Sequence, residues 1–122
     1  MPHTVYLEFK CLEGKGAEFL EVLLPSLSDT RAFDGCLSVE TYSNSDAPDT
    51  VFLWEKWAER SDQEAYMNWR VETGMRDLIG PFMAGPPSIV HLNAEDKPKN
   101  RFFSLLAASR ILAGEKSNFS TP

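Results

Sequence analysis

The chain has 122 residues and a formal net charge of −6 at pH 7, enough for one domain with its own core and no need of a disulfide or structural metal. With its 12 Lys and Arg scattered along the chain, it lacks the clustered cations that nucleic-acid binding requires. No apolar run approaches the roughly 20 residues that cross a bilayer, and Met1-Pro2-His3-Thr4 has no signal-peptide character; a cytoplasmic protein without nucleic-acid or membrane partners is expected.

Thr4 to Cys11 alternates with period 2, placing Val5, Leu7, Phe9 and Cys11 on one face of a strand. Glu13-Gly14-Lys15-Gly16 ends it, and Ala17 to Phe33 carries Phe19, Leu20, Leu23, Leu24 and Leu27 at helical spacing. Pro25 removes a backbone donor, which predicts a kink or a break into two helices. Strands are predicted at Cys36–Tyr42 and Thr50–Trp57, joined by the turn-forming run Ser43 to Asp49. Ser61 and Glu64 have the spacing of a capping box at the start of a second helix, which Gly74 interrupts and Gly80-Pro81 distorts. A last strand follows at Ser88–Asn93.

This order is βαββαβ, the ferredoxin-like α+β arrangement, with helices on one face of the sheet. Residues 1–95 are expected to form this domain, and 96–122 an appendage with a short helix around Phe102 to Leu112 and a frayed tail. Cys11 and Cys36 form no CxxC pair, and His3 and His91 offer no two-ligand spacing, so free thiols and no metal site are expected. With the third strand lying between the first two, the cysteines would be about 9–10 Å apart, beyond the roughly 7 Å limit for a disulfide.

Both faces of the predicted third strand are apolar, whichever of Phe52 and Trp54 or Val51, Leu53 and Trp57 meets the helices. One helix layer covers one face, so the other is expected to pack on a second copy in a two-fold homodimer. Val51 to Trp57 and the following helix hold all three tryptophans, which suggests a small-molecule pocket between sheet and helix. Tyr66 and Trp69 share a helix face; Asn68 lies on a different face from at least one of them, and Arg70 follows Trp69. Tyr6, Trp54 and Trp57 line either that cavity or the dimer core, and periodicity does not decide between the two. All six of Tyr6, Trp54, Trp57, Tyr66, Asn68 and Trp69 are candidates for contacting a small hydrophobic or aromatic ligand.

Thr30-Arg31, Gly35-Cys36-Leu37-Ser38-Val39, the turn at Asp46 to Asp49, Phe52-Leu53-Trp54-Glu55-Lys56-Trp57 and Tyr66 … Trp69-Arg70 … Gly74 resemble the antibiotic biosynthesis monooxygenase family, in particular its quinol-monooxygenase-like members. The resemblance spans about Val5 to Asn93. It implies a dimeric α+β barrel and oxygenation of a hydroxyaromatic or quinol compound without metal or flavin, the substrate anion supplying electrons to oxygen. A phenol ionises near pH 10, so such a site needs a base, a cation or polar donors in an otherwise apolar cavity. His91 is the candidate base and Arg70 the candidate cation, the alternatives being a structural strand histidine and a solvent-facing arginine. Glu55 reads as structural, beside Lys10 and Lys56. Many relatives carry a histidine in the second helix, and none lies between Ser61 and Met83 here. A non-catalytic ligand-binding or stress-response module therefore stands as the alternative function. Haem binding or degradation ranks behind both, since Asn68-Trp69 has no helix histidine beside it.

Overall fold

The computed structural model describes residues 2–96. Four antiparallel strands, β1 (His3–Lys10), β2 (Cys36–Asn44), β3 (Ala47–Trp57) and β4 (Ser88–Leu92), form one sheet in the order β2-β3-β1-β4. Between them come α1 (Gly16–Ala32), α2 (Arg60–Glu72), α3 (Met75–Ile79) and a single 3-10 turn, Gly80–Phe82. The ferredoxin-like α+β arrangement is as expected from the sequence. The expected C-terminal helix and tail lie outside the described residues.

Register settles which face meets the helices. Val5 lies opposite Glu55, Leu7 opposite Leu53 and Phe9 opposite Val51; all six are buried, together with Trp57. From α1, Phe19, Leu23 and Leu27 close over them, with the Phe9 and Phe19 rings 5.1 Å apart. Each such apolar side chain contributes about 1.5–3 kcal/mol on burial. The alternate residues Tyr6, Phe52 and Trp54 point to the other face, where the Tyr6 ring stacks on Phe52 at 5.6 Å and meets Trp54 edgewise at 5.9 Å. They stay only half-buried, and Tyr42 and Val90 on the same face are exposed. Among the described residues both long helices lie on the opposite side.

Several boundaries differ from the sequence reading. α1 is one unbroken helix through Pro25; the proline sits on the exposed face, where water can satisfy the carbonyl it leaves without a donor. Leu24, on the same face, is 49% exposed and not part of the buried stripe. The β2–β3 hairpin is much tighter than a Ser43–Asp49 loop. Asn44 Oδ1 accepts from the Asp46 and Ala47 N–H groups at 2.9 and 3.2 Å, closing a turn of two residues. The excess chain forms a bulge beyond Ser43, which brings the Asp49 carboxylate over the Gly14 and Gly16 N–H groups at 2.8 Å. These two bonds fasten the start of α1 to β3 and hold the Asp49 pKa below its ordinary value. The capping box of α2 uses Glu59 and Asp62, two residues before the predicted pair. Cys11 and Cys36 are free. They are farther apart than two strand spacings, because Cys36 pairs at the Trp57 end of β3 while Cys11 follows Lys10 at the Thr50 end.

Gly35 joins α1 to β2 at φ +90°, and a Cβ there would overlap the Asp62 side chain of that capping box. Gly35→Ala is expected to lower stability by about 2 kcal/mol or more, from left-handed backbone strain and loss of the cap. Urea unfolding measures it.

Candidate functional site

Between the sheet and its helices lies a cavity of about 740 Å³, large enough for a small aromatic molecule. Leu53 and Phe9 form its floor, Leu27 and Met67 its sides, and Met75 to Pro87 closes the end beyond α2. Gly74, at φ +89°, turns the chain from α2 into that closing segment. The walls are almost wholly apolar. Four polar residues break them near the middle: Ser26, Glu55, Tyr66 and Arg70; the exposed Arg76 sits at the rim.

Arg70 lies in the last turn of α2, where the helix dipole favours a cation. It is 8% exposed, so the expected alternative of a solvent-facing arginine does not apply. Its Nε donates to Tyr66 Oη at 2.7 Å, and its Nη2 to the Ser26 carbonyl at 2.7 Å and Thr30 Oγ1 at 3.0 Å. Thr30 Oγ1 and Tyr66 Oη are themselves 2.6 Å apart. All three acceptors are neutral. The guanidinium also lies over the Trp69 ring at 4.8 Å and the Tyr66 ring at 5.2 Å. The result is a fixed positive charge in an apolar wall, hydrogen-bonded but not neutralised by its direct partners.

Glu55 is the other charged group there. On β3 it falls in phase with Val51, Leu53 and Trp57, so the strand directs it into the core, where it is 1% exposed. Trp57 Nε1 donates to its Oε1 at 2.9 Å. Burial raises its pKa, and the Trp57 hydrogen bond and the Arg70 charge only partly offset that. The lysines expected beside it are elsewhere: Lys10 is exposed and opposite Thr50, and Lys56 alternates onto the open face.

A raised carboxyl pKa makes stability depend on pH in a definite direction. Between the unfolded value, near 4.5, and the higher folded value, the native state binds more protons than the unfolded one, so stability falls as pH rises. Thermal melts across that range should show the decline. Glu55→Gln keeps an acceptor for Trp57 and removes the charge, and should flatten the curve and raise the melting temperature most at the alkaline end.

The structure brings Tyr66 and Arg70 together at the cavity. Trp69 packs behind them, outside the cavity lining, its ring 6.1 Å from Tyr66 and 5.6 Å from Phe33. Trp57 is fully buried beneath Glu55. Asn68 is exposed on another face of α2, and Tyr6 and Trp54 lie on the open face of the sheet. His91 faces the helix side of β4, opposite Val5, but outside the cavity lining. Its Nδ1 is 2.8 Å from His3 Nε2, and its charged neighbours are Arg60 and Glu64 at the start of α2; the axis rises about 9 Å from Glu64 to Arg70. Burial first, then Arg60 and His3, lower its pKa, and Glu64 only partly offsets them. Glu55 and Met67 were not anticipated as cavity residues. A carboxylate in phase with three large apolar residues on one strand was the available signal for Glu55.

The antibiotic biosynthesis monooxygenase family model matches residues 2–79. The chain belongs to that family. Among solved structures, a candidate antibiotic biosynthesis monooxygenase from Nitrosomonas europaea is similar at 18% identity and TM-score 0.69, over 77% of this chain and 90% of that one. A Mycobacterium tuberculosis protein is similar at 21% identity and TM-score 0.70, over 81% and 100%, and a Pseudomonas aeruginosa protein at 16% and 0.68, over 78% and 95%. These structures share the fold. Comparison with curated proteins finds no match. Among the described residues no helix is long and apolar enough to cross a membrane, and no group of three or more His, Cys, Asp or Glu is placed to hold a metal.

Proposed function

We propose that this family member is a cofactor-independent monooxygenase of the quinol-monooxygenase type, acting on a small hydroxyaromatic or quinol compound held between sheet and helices. The observation that carries this reading is Arg70: a buried guanidinium, bonded among the described residues only to neutral oxygens, in the wall of an apolar cavity. Such a cation favours the anion of a bound phenol over its neutral form, which is the species that gives electrons to dioxygen. The apolar remainder of the cavity suits both the ring and dioxygen. An oxygen electrode with a panel of quinols and naphthols, in the presence of a chelator, tests the reading; uptake with quinone formation supports it, and none from any member opposes it. Tight binding of one compound without uptake would favour the non-catalytic ligand-binding or stress-response module, a reading that the absence of histidine from the cavity lining supports. The two free cysteines suit a reducing, cytoplasmic setting.

The proposal includes a two-fold homodimer formed through the open face of the sheet. Half-buried Tyr6, Phe52 and Trp54 with exposed Tyr42 and Val90 make a contiguous apolar surface that a second copy would cover. Light scattering should give twice the chain mass, and Trp54→Glu should give the single-chain mass with the fold retained. A wild-type mass of one chain would contradict the dimer.

A further inference from the structure

We infer that Glu55 is the proton acceptor of the cavity: it takes the hydroxyl proton of the bound phenol and leaves the oxygen anion facing Arg70. This rests on the reading above that the cavity takes hydroxyaromatic compounds. Among the described residues that line the cavity Glu55 is the only carboxylate, and none is a histidine, aspartate, lysine or cysteine. The Tyr66 hydroxyl is already engaged, receiving Arg70 Nε and sharing a proton with Thr30 Oγ1. One Glu55 oxygen is fixed by the fully buried Trp57 indole, which positions the carboxyl. The ionisable groups around it are Arg70 and Tyr66 on α2 and the Cys36 thiol on β2, whose own pKa is raised by burial and by the Glu55 charge.

For a phenol with a free para carbon the step balances. The hydroxyl proton passes to Glu55; the phenolate gives electrons to dioxygen, the oxidant, and a C–O bond forms at the ring carbon. The resulting peroxide anion takes the proton back from Glu55. Loss of the ring C–H proton then breaks the O–O bond, leaving a quinone carbonyl and a hydroxide that combines with that proton. One phenol and one dioxygen give one quinone and one water, and Glu55 ends as it began.

The test counts protons and needs no turnover. A mononitrophenol is bound under nitrogen one pH unit below its own ionisation, with the visible phenolate band recorded and binding heats measured in buffers of different ionisation enthalpy. In the wild type the bound probe should show the phenolate band with no net proton released, because the proton stays on the protein. Glu55→Gln should bind it either as neutral phenol or as phenolate with one proton released per ligand. Should that variant not fold, the wild type alone decides. Absence of the phenolate band in the wild type, failure of the probe to bind it, or release of a full proton with each phenolate would overturn the inference. Because the probe is read without oxygen, a failure of quinol turnover and a failure of Glu55 as acceptor appear in different experiments.

Discussion

Arg70→Met should lower turnover of a quinol substrate by about 10²–10³-fold, the range seen when a donor to a developing oxyanion is removed. Methionine keeps much of the stem volume but supplies neither charge nor donors, so the phenol in the cavity would ionise nearer its solution value. The same change should lower stability by about 3 kcal/mol, because Tyr66 Oη, Thr30 Oγ1 and the Ser26 carbonyl lose their common donor. It also removes the cation that lowers the Glu55 pKa, so that carboxyl should titrate higher still. Arg70→Lys is the informative control. A lysine restores the charge without the fork that reaches three oxygens at once, and should recover part of the activity and less of the stability. Steady-state oxygen uptake and urea unfolding of the three proteins separate the two effects.

Trp57→Ala should be the most destabilising single change in the sheet. The indole is fully buried and packs against Tyr66 at 5.1 Å and Phe33 at 6.3 Å, and truncating a core tryptophan costs about 3–5 kcal/mol. It also leaves a buried carboxyl oxygen without its donor, a further cost of about 1–3 kcal/mol. Against a total stability of about 5–15 kcal/mol, this is a large share, and the melting temperature should fall steeply. Trp57→Phe isolates the second part, keeping most of the ring while removing the N–H. Its fold should survive, and the Glu55 pKa should rise further, because the Trp57 bond is the larger of the two effects holding it down. The decline of stability with pH should accordingly extend to higher pH in Trp57→Phe than in the wild type, which melts across a pH series will show.

Much of the fold was legible because strand and helix periods are strong signals in this chain. β1, β2, β3, α1, α2, the break at Gly74 and β4 all fall within a few residues of their predicted places. The misses have local causes. Asn44 closes the hairpin with its side chain, so a run of turn formers is mostly strand, and Pro25 is tolerated because it lies on the exposed side of α1. The facing of β3 could not be read, since both of its faces are apolar; only its register with β1 shows that Trp54 and Phe52 lie on the open face and Trp57 in the core. The site was legible in part. Tyr66 and Arg70 meet at the cavity because they are one helical turn apart on the stripe that also carries Gln63 and Met67, whereas Asn68 is off that stripe. In the sequence Lys10 and Lys56 suggest lysine partners for Glu55, but alternation along the strand sends Lys56 to the opposite face. His91 drew attention as a titratable group; its position along β4 puts it beside the start of α2 and not beside Arg70.

The central claim is that the cavity walled by Glu55, Tyr66 and Arg70 is where this protein holds its ligand. A crystal structure of the protein with a bound quinol, grown without oxygen, tests that claim most directly. The account predicts the ring between Leu53 and Met67 with its hydroxyl oxygen within hydrogen-bonding distance of Arg70 and Glu55. A ring bound instead beside His91 and His3, or on the Tyr6 and Trp54 face, would contradict it.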